Sequence, residues 1–150
     1  MKSIALLFLI IPALLNAQTE SLRRKHFNIT KGFGIEGYDP VSYFNGKALE
    51  GDSKLSYTHQ GITYLFSSPA NLSKFKTSPE KYEPAYGGWC AYAMGETGEK
   101  VKINPRTFKI LDGRLYLFYN FWGSNTLEDW NENESKLKEA ADRHWKNFVK

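Results

Sequence analysis

Two stretches of the chain alternate apolar and polar side chains with the two-residue period of a half-buried strand, and each folds back at a short turn. Leu55 to His59 and Ile62 to Ser67 flank Gln60-Gly61, while Thr107 to Leu111 and Arg114 to Tyr119 flank Asp112-Gly113. Both patterns predict antiparallel hairpins in which glycine supplies the positive φ of a two-residue turn. Upstream, Asp39 is placed to cap a short helix beginning at Pro40. Ser68-Pro69 opens a second short helix through Phe75, with Leu72 and Phe75 on one face. Pro79 and Pro84 enclose a turn-rich stretch carrying Tyr82 and Tyr86. Near the end, Leu127, Trp130, Leu137, Ala141, Trp145 and Phe148 recur at helical spacing. They predict one long helix capped by Thr126, with Trp130 and Trp145 buried on nearly the same side. The order predicts an α+β fold: a small single domain with antiparallel β-hairpins, short helices and a long C-terminal helix. No internal repeat, low-complexity tract or interdomain linker is evident.

The first residues read differently. Lys2 precedes an apolar run from Ile4 to Leu15, and Leu14-Leu15-Asn16-Ala17 offers a cleavage site near Ala17. This is the pattern of a signal peptide over residues 1–17, too short to span a bilayer. The expected location is therefore exported, periplasmic or extracellular, with no stable membrane span after cleavage. Residues 18–31, which include Arg23-Arg24-Lys25, are expected to form a flexible N-terminal arm ahead of a domain over residues 32–150. The formal net charge of +4 is spread thinly along the chain. That, with export, argues against nucleic acid as a partner. Ten Phe, nine Tyr and four Trp give the domain enough apolar area to fold without disulfides, since Cys90 is the sole cysteine.

A family resemblance is carried by several spaced segments. They are Tyr38-Asp39-Pro40-Val41-Ser42-Tyr43-Phe44, Gly61-Ile62-Thr63-Tyr64-Leu65-Phe66-Ser67 and Phe75 with Ser78-Pro79-Glu80-Lys81-Tyr82. Together they resemble a YHS domain. Tyr86-Gly87-Gly88-Trp89-Cys90-Ala91-Tyr92-Ala93 and Asp112-Gly113-Arg114-Leu115-Tyr116-Leu117 are similar to its exported branch, called YHS domain-containing (seleno)protein. In metal-handling members, the resemblance implies cysteines at the positions held here by Ser42, Ser67 and Asn71. None of these three is a good ligand for a soft metal, so the inherited thiolate site is gone. Selenocysteine in some relatives of that branch points instead to Cys90.

Cys90 sits in the densest aromatic and glycine cluster of the chain, and an odd thiol in an exported protein is a candidate ligand or reactive group. Three readings follow. The first is a binding module with a pocket for a copper ion or a small ligand around Cys90, its walls made by Asp39, Tyr43, Tyr86, Trp89 and Tyr92. Met94 and His59 are the candidate companion metal ligands. The second is a thiol redox protein in which Cys90 is the reactive atom. The third is a non-catalytic scaffold or interaction domain in which Cys90 is packed core. No serine-hydrolase elbow, phosphate-binding glycine loop or zinc-protease helix is present, which weighs against an enzyme.

Overall fold

The computed structural model describes residues 10–150, so the first part of the expected signal peptide lies outside the described residues. From there the chain runs α1 (Ile10–His26), a minimal hairpin β1 (Ile29–Thr30) and β2 (Phe33–Gly34), then the hairpin β3 (Asp52–His59) and β4 (Ile62–Phe66). Helices α2 (Pro69–Thr77), α3 (Pro79–Tyr82) and α4 (Ala91–Glu96) follow. A second hairpin comes next, β5 (Asn104–Leu111) and β6 (Arg114–Phe118), then a small one, β7 (Asn120–Phe121) and β8 (Ser124–Asn125). Helices α5 (Thr126–Glu132) and α6 (Glu134–Lys146) close the chain. All four strand pairs are antiparallel, as an α+β fold built on hairpins requires. Among the described residues, no helix is long and apolar enough to cross a membrane.

The core has two lobes that share β6. Leu115 and Leu117 pack with Ile35, Val41, Tyr43, Ile62, Tyr64, Phe66, Phe75 and Cys90. Tyr116 and Phe118, on the opposite face of the strand, pack with Tyr86, Ala91, Met94, Trp130, Leu137 and Ala141. The period-two alternation of a central strand thus joins the sheet side of the molecule to the helical side.

An internal repeat, absent from the sequence reading, is plain in the backbone. The strands of the second large hairpin match the first element for element, every boundary displaced by 52 residues. Each hairpin has its irregularity at the same place, between Asp52 and Ser56 in one and between Asn104 and Phe108 in the other. Each turns through two residues of positive φ, Gln60-Gly61 and Asp112-Gly113. Ahead of each hairpin stands a run of three left-handed residues: Ile35, Glu36 and Gly37 (φ 51°, 54°, 85°), and Tyr86, Gly87 and Gly88 (φ 55°, 60°, 85°). The first run packs on β4 and the second on β6. After each run comes an aromatic residue (Tyr38, Trp89), a buried polar or thiol residue (Asp39, Cys90) and a short helical segment (Ser42–Asn45, Ala91–Glu96). The repeat is partly written in the residues as well, since Gly61, Tyr64, Leu65 and Phe66 recur as Gly113, Tyr116, Leu117 and Phe118, whereas the buried residues after the left-handed runs differ.

Three further expectations need correction. Residues 18–31 are not a free arm. Arg23 and Arg24 donate from α1 to the carbonyls of Gln60 and Gly61 at 3.1 Å each, Arg23 also pairs with Glu83, and Asn28 is buried. The single C-terminal helix is two. Asn133 leaves helical geometry (φ −138°, ψ 37°), as a residue whose side chain competes for backbone hydrogen bonds readily does. Trp130 Nε1 bridges the break to Glu134 at 3.0 Å. The cap of α5 is Asn125, whose side chain accepts from Leu127 N, while Thr126 hydrogen-bonds elsewhere. Consequently Trp130 is fully buried but Trp145 is only half-buried, against Phe27 and Phe148. Gly87 is required where it stands: a Cβ there would lie 2.7 Å from the Trp145 ring.

Candidate functional site

Asp39 is the most heavily hydrogen-bonded side chain of the first unit. One carboxylate oxygen accepts from Val41 N at 2.8 Å and Ser42 N at 3.3 Å. The other accepts from Ser67 N at 2.9 Å, Ser67 Oγ at 2.6 Å and Asn71 Nδ2 at 2.6 Å. The first pair holds the turn that leads into the helical segment Ser42–Asn45, whose own N-cap is Val41 and not the expected Asp39, because the helical geometry begins at Ser42 rather than at Pro40. Ser42 Oγ donates to the Asp39 carbonyl and accepts from Leu49 N. Ser42, Ser67 and Asn71, distant in sequence, thus converge on one carboxylate. These are the three positions where metal-handling relatives are expected to carry cysteines.

The donor set decides what this cluster can hold. Five donors occupy both oxygens of Asp39, its side chain is wholly buried, and its companions offer neutral hydroxyl and amide oxygens. Soft cations select thiolate and thioether, and a saturated carboxylate has no lone pair to give one. A copper ion does not fit here. The cluster is a polar pin that ties the turn after Asp39 to the end of β4 and the start of α2.

In the second unit Cys90 stands where Asp39 stands in the first, and it makes equivalent bonds with weaker groups. Tyr119 N, the first amide beyond β6, donates to Cys90 Sγ at 3.4 Å, just as Ser67 N, the first amide beyond β4, donates to Asp39. Thr126 Oγ1 lies 3.4 Å from the sulfur and donates its own proton to the Tyr119 carbonyl at 3.0 Å. The thiol hydrogen is therefore the one that points at Thr126, which closes a ring of Tyr119 amide, thiol, hydroxyl and Tyr119 carbonyl. This ring suits a protonated thiol. Cys90 has no solvent exposure, and a thiol sealed among apolar side chains is poorly reactive.

The other residues assigned to a pocket around Cys90 are dispersed. Tyr43 shares a core lobe with Cys90, but its hydroxyl is spent on the Pro105 carbonyl at 2.8 Å, and burial holds its ionisation far above the ordinary tyrosine range. Tyr86 and Met94 belong to the other lobe. The Tyr86 hydroxyl donates to Asp142 at 3.0 Å, and burial together with that carboxylate raises its pKa. Trp89 donates from Nε1 to the His26 carbonyl at 2.7 Å. Tyr92 packs against both core lobes, including the one that holds Cys90, and lines a polar cleft of about 380 Å³ with Glu96, Asp129, Glu132 and Lys136. His59 packs on Phe75, its Nε2 3.4 Å from Glu80. Among the described residues, no group of three or more His, Cys, Asp or Glu side chains is placed to hold a metal ion.

Sequence reasoning missed one exposed feature. Trp122, at the tip of β7–β8, is 85% exposed at φ 51°. Its ring neighbours Phe121 at 5.8 Å, which in turn meets Tyr119 edge-on at 5.1 Å. The Lys102 ammonium sits 4.8 Å from the Phe121 ring centre and 4.9 Å from that of Trp122. The signal was present in the sequence as a Trp-Gly pair between Phe121 and Ser124.

Comparison with known proteins bears on the first unit directly. The YHS domain family matches residues 40–86, the span from the turn after Asp39 to the left-handed run that opens the second unit. The likeness to the YHS domain is confined to that segment. No curated protein and no solved structure matches the chain.

Proposed function

We propose that this chain works, after export, as a non-catalytic binding module on a YHS fold, with Cys90 serving as a buried structural thiol. The observation that carries this reading is the closed hydrogen-bond ring around a thiol with no exposure. A redox thiol needs access and a stabilised thiolate, and a copper site needs further soft donors at the same point. Neither condition finds support at Cys90, and the Asp39 cluster has traded thiolates for a saturated carboxylate. The fold is then a platform, and its partner meets the surface.

The test is made on the natively folded protein. We expect iodoacetamide to leave Cys90 unmodified until denaturant is added. We also expect Cu(I) titrated against a chromophoric chelator to stay with the chelator. Rapid alkylation in the native state would favour the thiol redox reading. Stoichiometric Cu(I) retention that Cys90→Ser abolishes would restore the copper reading.

A further inference from the structure

The two units agree so closely that their one large difference stands out. In the first, the chain passes from Ser67 straight to Ser68, the cap of α2. In the second, the hairpin Asn120–Asn125 is inserted between Tyr119 and Thr126, at the same point of the fold. The bond from Thr126 N to the Tyr119 carbonyl at 3.0 Å closes its neck. Asn104 Nδ2 donates to the Asn120 carbonyl at 3.2 Å, and Asn120 Nδ2 donates to Thr107 Oγ1 at 3.0 Å, so the hairpin stands rigidly on β5. The first unit makes the same strand-to-helix passage without such an element.

The tip spends conformational energy to expose an aromatic ring. Its two turn residues, Trp122 and Gly123, both have positive φ (51° and 79°). A turn of this kind favours Asn or Asp in the position that Trp122 occupies. Large aromatic side chains are enriched at interaction sites, and one held rigidly in solvent has paid its ordering entropy in advance.

Charge indicates the partner. Lys102 lies within 5 Å of both tip rings. Burial raises the pKa of the Glu36 carboxyl, and Lys102 together with Lys31 at the β1–β2 turn opposes that rise, so this side of the molecule carries two ammonium groups and one carboxyl. Trp and Phe with lysine directly behind them match the layering of a bilayer surface. Aromatic rings settle at headgroup depth, and ammonium groups pair with phosphates.

We infer that the β7–β8 hairpin is a peripheral membrane contact, placing Trp122 and Phe121 at the headgroup level of an anionic lipid surface with Lys102 on the phosphates. This names the partner of the binding module proposed above and rests on that reading. The experiment is cosedimentation of the purified full-length protein with vesicles of phosphatidylcholine alone or mixed equally with phosphatidylglycerol. Any leader the chain retains is the same in every variant. Wild type should bind the mixed vesicles and respond with a blue shift of tryptophan emission. Trp122→Ala, an exposed change that leaves the core intact, should bind about tenfold more weakly and lose the shift. Lys102→Gln should bind about fivefold more weakly. The inference is overturned if wild type ignores mixed vesicles, if uncharged vesicles bind equally well, or if Trp122→Ala binds like wild type. Binding confined to a glycan or an acidic protein, and lost in Trp122→Ala, would overturn the lipid assignment. None of these outcomes touches the thiol and copper tests, whose failure would sink the module reading itself.

Discussion

Behind each left-handed turn the two units place one buried side chain that receives the first amide beyond the paired strand, and they fill that place with opposite chemistry. The first unit uses Asp39, a charge neutralised by five donors. The second uses Cys90, a weakly polar thiol with two partners. One backbone therefore tolerates either a strong polar pin or an almost apolar one. The choice dictates what surrounds it: Ser67 and Asn71 beside the carboxylate, Tyr119 and Thr126 beside the sulfur. Where thiolates are expected by family resemblance, serine and asparagine hold the same elements together through a carboxylate.

The sharpest way to break the comparison is to remove the stronger pin. Asp39→Ala leaves five donors without their acceptor, those of Val41, Ser42 and Asn71 buried and the two of Ser67 half-buried, and should cost about 3–5 kcal/mol, measured by urea denaturation. A loss comparable to that of Cys90→Ala would mean that the two positions are energetically alike and that the hydrogen-bond contrast is immaterial.

How much of this was legible in the sequence depends on the range of the interaction. The large hairpins and the short helix after Pro69 follow from contacts within a few residues, and turn chemistry announces them. The break at Asn133 was hidden because the apolar stripe continues across it. Leu127, Trp130 and Leu137 all meet the core although they lie on two helices. Which residues surround Cys90 is a matter of long-range packing, which local patterns do not carry. The aromatic residues near it in sequence point to different lobes, since successive residues of a turn diverge in space. The repeat leaves one short trace in the sequence, Gly61 with Tyr64-Leu65-Phe66 against Gly113 with Tyr116-Leu117-Phe118; the rest lives in φ, register and hydrogen bonds, and Asp39 and Cys90 share none of their chemistry.

The second prediction concerns the two helix tryptophans that the sequence treats as equivalent. Trp130 is enclosed by Tyr116 and Phe118 at 5.6 Å each, so Trp130→Ala should cost about 3–5 kcal/mol. Trp145→Ala, at a half-buried site, should cost about 1–2 kcal/mol, because water already reaches part of the ring. Equal losses in thermal denaturation would show that α5 and α6 act as one continuous helix.

Cys90→Ala comes next in size. It deletes a small buried group and leaves the Tyr119 amide short of an acceptor, for about 1–2 kcal/mol. Fluorescence-monitored unfolding should show a lower midpoint with an unchanged slope, since the surface buried is nearly the same. A loss as large as that of Asp39→Ala would mark the thiol as a full equivalent of the carboxylate.

The smallest expected effect has the opposite sign. The β7–β8 hairpin, which the first unit lacks, is turned by Trp122-Gly123, both with positive φ. Trp122 is 85% exposed, so truncating it forfeits little burial. What remains is the cost of a bulky residue in the left-handed region, which asparagine bears more easily. Trp122→Asn should therefore leave stability unchanged or raise it by about 0.5–1 kcal/mol, visible as a melting temperature equal to or slightly above wild type. Such a gain would mean that the tip keeps its tryptophan at the expense of the fold, as a surface held for a partner does. A clear destabilisation would mean that the stack on Phe121 and Lys102 supports the hairpin itself, and the second unit's extra element would then belong to its architecture.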